Sequence, residues 1–140
     1  MAEPKETVRR FYGLIEARQI DAAVALCDPD IAVRNPVGEF RGATPFRAYW
    51  TGDLDAFPDR RYEVVRLVED GGTVVAEVVM TGTQTGALRL PGRVIPPTRK
   101  RVRLEVTAVF EVEAGRIVAT RAQFDRLGFL EQLGLWPPIP

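Results

Sequence analysis

The sequence predicts an α+β domain in which three N-terminal helices cover one face of an antiparallel sheet. Apolar residues recur at helical spacing in the first part of the chain, first in Val8, Phe11, Tyr12, Leu14 and Ile15, then in Phe46, Tyr49, Trp50, Leu54 and Phe57. From Arg60 onward the pattern changes to β-runs separated by hairpin turns. The last pair of runs, residues 101–125, joins at Glu113-Ala114-Gly115. Its first run alternates: Val102, Leu104, Val106, Ala108, Phe110 and Val112 share one parity, and Arg103, Glu105, Thr107 and Glu111 share the other with Val109. Alternation of that length places one strand face on a core or cavity and leaves the other differently occupied.

Taken in order, Pro4 suits the first turn of a helix that runs to Ala17. Asp21 is a good N-cap for a second short helix over 22–26, which Pro29 ends. Residues 31–34 read as a short strand entering an Asn35-Pro36-Val37-Gly38 turn. Thr44-Pro45 is an N-cap followed by proline at the first helical position, and Pro58 stops that third helix. Asp53 and Asp55 on it are assigned to its solvated side. Residues 62–69 and 73–83 form a hairpin around Asp70-Gly71-Gly72. Val74, Val75, Ala76, Val78, Val79 and Met80 make the second run almost continuously apolar, which predicts cover on both faces. The Gly- and Pro-rich stretch 84–99 reads as a long loop of the kind that is usually functional. A helical turn over 127–134 precedes Trp136-Pro137-Pro138-Ile139-Pro140.

The 140 residues suit one domain, spanning 1–140, and 46% hydrophobic with 27% charged residues is an ordinary globular balance. Nineteen basic and nineteen acidic residues cancel, so nucleic acid and anionic membranes are not expected partners. A net charge near zero also permits self-association. The single cysteine, Cys27, excludes an intramolecular disulfide and sits in an apolar run as a buried spectator. Histidine is absent, which removes Ser-His-Asp and Cys-His catalysis and the commonest zinc ligand; no metal site and no cofactor are expected. The N-terminus lacks the apolar core of a signal peptide and no run is long enough to span a bilayer, so a cytoplasmic protein is expected.

Several motifs in a shared order carry a resemblance. Thr81-Gly82-Thr83-Gln84-Thr85-Gly86, Ile95-Pro96-Pro97-Thr98 and Leu127-Gly128-Phe129-Leu130-Glu131-Gln132-Leu133-Gly134 resemble segments of SnoaL-like polyketide cyclases. Asn35-Pro36-Val37-Gly38 and Arg121-Ala122-Gln123-Phe124 resemble motifs of ketosteroid isomerases. Both families have the nuclear-transport-factor-like fold, so the resemblance implies a cone: three N-terminal helices packed on a strongly curved antiparallel sheet around a ligand cavity. It also implies where catalytic groups should stand. The isomerase proton-shuttling aspartate falls on Asn35, an oxyanion-hole tyrosine on Phe11 beside Tyr12, and an oxyanion-hole aspartate on Ala108. The cyclase aspartate and histidine fall on Ala122 and Ala108, and the histidine of their G-T-H-T-G motif on Gln84. Neither inherited mechanism can run on these residues, because alanine has no exchangeable proton and an amide does not shuttle one near neutral pH.

If Ala108 and Ala122 face the cavity, parity brings Leu104, Val106, Phe110, Thr120 and Phe124 there, with Phe11, Tyr49 and Trp50 from the helices. Such a mainly apolar pocket suits a small apolar molecule. The expected activity is ring closure of a polyketide or related natural-product intermediate, including cycloaddition, promoted by shape and hydrogen bonding, with Asn35, Gln84 and Tyr12 as the candidate catalytic groups. A non-catalytic binder of a small hydrophobic ligand is one alternative. An epoxide hydrolase or hydroxylase of the same fold is another, and it needs Arg121 or Asp125 to point inward. The opposite parity, Arg103, Glu105, Glu111 and Arg121, is expected on the outer sheet face as ion pairs or as the interface of a homodimer. Asp125 is expected to cap the following helix.

Overall fold

The computed structural model describes residues 3–135; the predicted proline-rich end at 136–140 lies outside them. Its elements are α1 (Pro4–Glu16), α2 (Ile20–Val24), β1 (Cys27–Asn35), β2 (Gly38–Arg41), α3 (Ala43–Ala56), β3 (Arg61–Asp70), β4 (Thr73–Thr83), β5 (Leu88–Leu90), β6 (Arg93–Ile95), β7 (Arg101–Glu113), β8 (Arg116–Gln123) and α4 (Arg126–Gln132). Six strands form one sheet in the order β2-β1-β8-β7-β4-β3. Irregular register at Cys27/Ala32, Val64/Arg66 and Glu111/Val112 bends it, as bulges do. The curved inner face packs against α1, while α3 lies over β1 and β2. The sheet is antiparallel except where β1 and β8 run parallel, because the chain reaches β8 only after crossing the whole sheet.

Inner-face residues of β4 and β7, among them Val74, Ala76, Val78, Ala108 and Phe110, meet α1 through Val8, Phe11, Tyr12 and Ile15 in one apolar cluster. Phe11 is its centre, wholly buried and in aromatic contact with Tyr12, Phe46, Trp50 and Phe110. Burying such a side chain contributes about 1.5–3 kcal/mol. A second cluster, with Phe57, Met80, Val102, Leu104, Phe129 and Leu133, closes the far end beneath α4. Asp125 caps that helix as expected, its Oδ1 accepting from Gly128 N at 2.8 Å. Among the described residues no helix is long and apolar enough to cross a membrane.

Besides the start of α3, which opens at Ala43 after Gly42 so that Thr44 stands inside its first turn and does not cap it, four local readings change. The second helix starts at Ile20, and Asp21 does not cap it; the Asp21 carboxylate pairs instead with Arg47. Residues 27–35 and 38–41 form a hairpin longer than the short strand expected there. In β4 the second parity is not covered, since Val75 and Val79 are half-buried and Glu77 is exposed. The fourth change concerns 84–99, which contains the two-stranded ribbon β5–β6 rather than an irregular loop.

That ribbon is held at two points. Gln84 is completely buried; its Nε2 donates to the carbonyls of Gly86, Ile95 and Pro96, and its Oε1 accepts from Thr98 N and Oγ1. Gly86 lies so close to the C-terminal end of α3 that a Cβ there would stand 1.9 Å from the Asp55 carbonyl oxygen. Gln84→Ala strands several buried carbonyls and should lower stability by about 1–3 kcal/mol. Amide exchange across 85–99 should accelerate at the same time. Unchanged exchange in that segment would show that Gln84 does not hold the ribbon.

Candidate functional site

Between the helices and the curved sheet lies a cavity of about 250 Å³, walled mostly by apolar groups. The sheet contributes Leu104, Val106, Ala108 and Phe110 from β7 and Thr120 and Ala122 from β8, followed by Phe124. Ala108 and Ala122 are direct partners across the β7–β8 ladder, so two small side chains lie side by side and leave room. From the helices come Phe11, Tyr12, Phe46, Tyr49 and Trp50, and the β5–β6 ribbon adds Leu88 and Leu90. Twelve of the thirteen candidate residues therefore line this space.

Gln84 is the exception and a correction: it does not line the cavity, and its amide is spent on the ribbon. Asn35 does line it, yet Oδ1 is occupied by the β1–β2 turn, accepting from Val37 N at 2.9 Å and Gly38 N at 3.3 Å. Only its Nδ2 remains to donate. Burial pushes the hydroxyls of Tyr12 and Tyr49 well above the usual tyrosine range, so both stay protonated at neutral pH and act only as neutral groups. Cys27 is buried, with its thiol pushed up to about 12, and is inert at neutral pH.

The wall is not free of acids: Asp53, expected on the solvated side of α3, faces this space because the buried Arg60 draws it inward. Asp53 stands on the same α3 face as Phe46, Tyr49 and Trp50, and its side chain is 17% exposed. Tyr62 on β3 donates its hydroxyl to Asp53 Oδ2 at 2.9 Å. Arg60 Nε lies 2.8 Å from the same oxygen, a charge contact whose N–H is not aligned as a hydrogen bond. Arg60 itself is wholly buried, with Nη1 donating to Ile15 O at 3.1 Å and its guanidinium 5.3 Å from the Tyr62 ring centre. It sits behind Asp53 and does not line the cavity. Burial raises the Asp53 carboxyl to about 6, against the opposing pull of Arg60 and the Tyr62 hydrogen bond. Among the described residues Trp50 Nε1, in the same wall, has no hydrogen-bond partner.

Arg121 and Asp125 do not point inward, so the Arg–Asp pair needed for epoxide hydrolysis cannot come from them. Arg121 pairs with Glu111 at 3.2 Å on the outer face, where Arg103 and Glu105 also pair at 3.2 Å, and Asp125 is the α4 cap. Among the described residues no group of three or more Cys, Asp or Glu side chains is placed to hold a metal ion.

A carboxyl raised in the native state binds its proton more tightly folded than unfolded. Asp53 therefore favours folding most at low pH, and its contribution falls as pH rises from about 4 to about 6. A carboxyl-carbon NMR titration should place the Asp53 midpoint near 6. Arg60→Gln should raise that midpoint and cost about 3–5 kcal/mol of stability through the broken buried pair. A lowered midpoint in this variant would contradict the arrangement.

The SnoaL-like domain family model matches residues 8–120. Among solved structures, IdmH from Streptomyces antibioticus, described as a candidate polyketide cyclase, superposes with a TM-score of 0.79 at 24% identity, covering 95% of this chain and 99% of that one. AclR from Streptomyces galilaeus, described as a candidate hydroxylase, gives 0.81 at 23% identity, with 100% and 86% covered. A candidate SnoaL-like polyketide cyclase from Jannaschia sp. gives 0.82 at 21% identity, with 96% and 93% covered. At these identities the likeness speaks for the fold. No curated protein matches the chain. With the family model covering most of its length, the chain belongs to the SnoaL-like domain family.

Proposed function

We propose that the protein is a cyclase-like enzyme that folds an apolar polyketide or related intermediate into a reactive shape and promotes its ring closure. The observation that carries this reading is the cavity: about 250 Å³, walled by aromatic and aliphatic side chains, with the Ala108/Ala122 pair leaving space against β7 and β8. A flexible chain confined there loses the extended conformers that cannot cyclise. Orientation of that kind is worth up to about 7–11 kcal/mol of barrier. Asn35 Nδ2, the neutral hydroxyls of Tyr12, Tyr49 and Thr120 and the side chains of Arg34 and Arg89 are donors along the wall for a substrate carbonyl. Relatives described as candidate polyketide cyclases support the same reaction class. A homodimer joined through the outer sheet face belongs to this reading, with the charged parity of β7 and β8 at its interface.

Incubation with a panel of linear polyene and polyketide precursors should accelerate formation of cyclised product over the buffer rate, followed by mass-resolved chromatography. Ala122→Phe fills the space beside Ala108 and should reduce that acceleration at least tenfold while the protein remains folded. Unchanged rates in Ala122→Phe would place the reaction elsewhere. Tight precursor binding with no acceleration for any member of the panel would favour a non-catalytic binder.

A further inference from the structure

We infer that Asp53 is a catalytic proton-transfer residue of the cavity, acting on substrates with a C–H bond made acidic by an adjacent carbonyl. The inference rests on the ring-closure reading and supplies the acid–base group absent at Asn35, Ala108 and Ala122. Three features of the geometry support it. Asp53 lies in an otherwise apolar wall one helical turn from Trp50 and Tyr49. Its two oxygens are unequal: Oδ2 is fixed by Tyr62 and Arg60, whereas Oδ1 receives no hydrogen bond among the described residues. Its counterion is wholly buried and anchored to Ile15 O, so the carboxylate is braced from behind and cannot swing away.

A purely structural ion pair accounts for less of this. Buried pairs add little net stability over apolar packing, and a pair selected for stability would satisfy its guanidinium. Here Arg60 Nη2 has no partner among the described residues and one carboxylate oxygen is left over. The charged and titratable groups around Asp53 are Arg60, Tyr49 on its own helix, Tyr62 on β3 and Tyr12 on α1, with Arg34 and Arg89 elsewhere along the cavity. The tyrosines are held neutral by burial, so Asp53 is the group among them that exchanges a proton near neutral pH.

The step balances without a cofactor. Asp53 Oδ1 takes a proton from a carbon beside a carbonyl, and the C–H electron pair becomes the enolate, whose oxygen accepts from a neutral hydroxyl of the wall. The enolate carbon attacks a second carbonyl of the same molecule; a C–C bond forms and the carbonyl π pair moves to oxygen. That alkoxide takes the proton back from Asp53. The product is an isomer of the substrate, and the carboxylate is restored.

Deuterium exchange at C1 of 2-tetralone in D2O, followed by proton NMR, isolates the first half of this sequence. The intact protein should accelerate exchange over buffer, with a rate that rises with pH through a midpoint near 6 as Asp53 ionises. Asp53→Asn should lower the enzymatic exchange rate about 10²–10⁴-fold, the range of general acid–base catalysis, with 2-tetralone still bound as read by tryptophan fluorescence. If that variant does not fold, Asp53→Asn with Arg60→Met removes both charges together and carries the same expectation. No acceleration by the intact protein, or exchange that survives either variant, overturns the role of Asp53. Ring closure that persists undiminished in Asp53→Asn overturns it too and leaves the shape-driven reading standing. Asp53-dependent exchange without ring closure of any precursor would remove that reading and keep the proton-transfer role.

Discussion

A guanidinium with no access to solvent must be answered by a carboxylate, and Arg60 is answered by Asp53. That requirement ties together parts of the chain far apart in sequence. Arg60 follows α3, reaches α1 at Ile15 O, stacks over Tyr62 at the start of β3, and draws Asp53 to the inner side of its own helix. Arg18 adds to the same corner by donating to the carbonyls of Pro58 and Arg60. The first and third helices are thereby fixed against the edge strand of the sheet, and the cavity acquires its carboxylate from the same contacts.

The remainder of the cavity follows from alternation. Period-two patterning puts Leu104, Val106, Ala108 and Phe110 inward and Arg103, Glu105 and Glu111 outward. The outer charges pair with one another and contribute little beyond solubility and surface packing. Small residues on the inner parity and aromatic residues on the helices leave an apolar space, and the β5–β6 ribbon is tied across its side by Gln84 and Gly86. The polar groups along it are few: the Asp53 carboxylate with one unengaged oxygen, the Asn35 amide N–H, the hydroxyls of Tyr12, Tyr49 and Thr120, and the side chains of Arg34 and Arg89.

The fold and most of the cavity wall were legible because both rest on periodicity, which a side chain obeys whatever its partners. The β7–β8 hairpin, the first and third helices and the Asp125 cap belong to that class. Asp53 also obeys the period, standing seven residues after Phe46, four after Tyr49 and three after Trp50, which is the apolar face of α3. An aspartate reads as solvated until its cation is known, and Arg60 lies in an aperiodic turn. Gln84 shows the converse. Its place in a family-like motif suggested a role in the cavity, whereas its neighbours are carbonyls brought together only when the ribbon folds back. Helix α2 and the parallel β1–β8 contact depend on tertiary packing, which local propensity does not encode.

What the structure requires is that an apolar ketone sit in this cavity with its acidic carbon toward Asp53. A crystal structure of the protein with bound 2-tetralone tests it most directly. C1 should stand against Asp53 Oδ1 and the ketone oxygen against a neutral donor of the wall, with Arg60 and Tyr62 still on Oδ2. A ketone bound outside the cavity, or inside it with Asp53 turned away from the carbon, would rule this placement out.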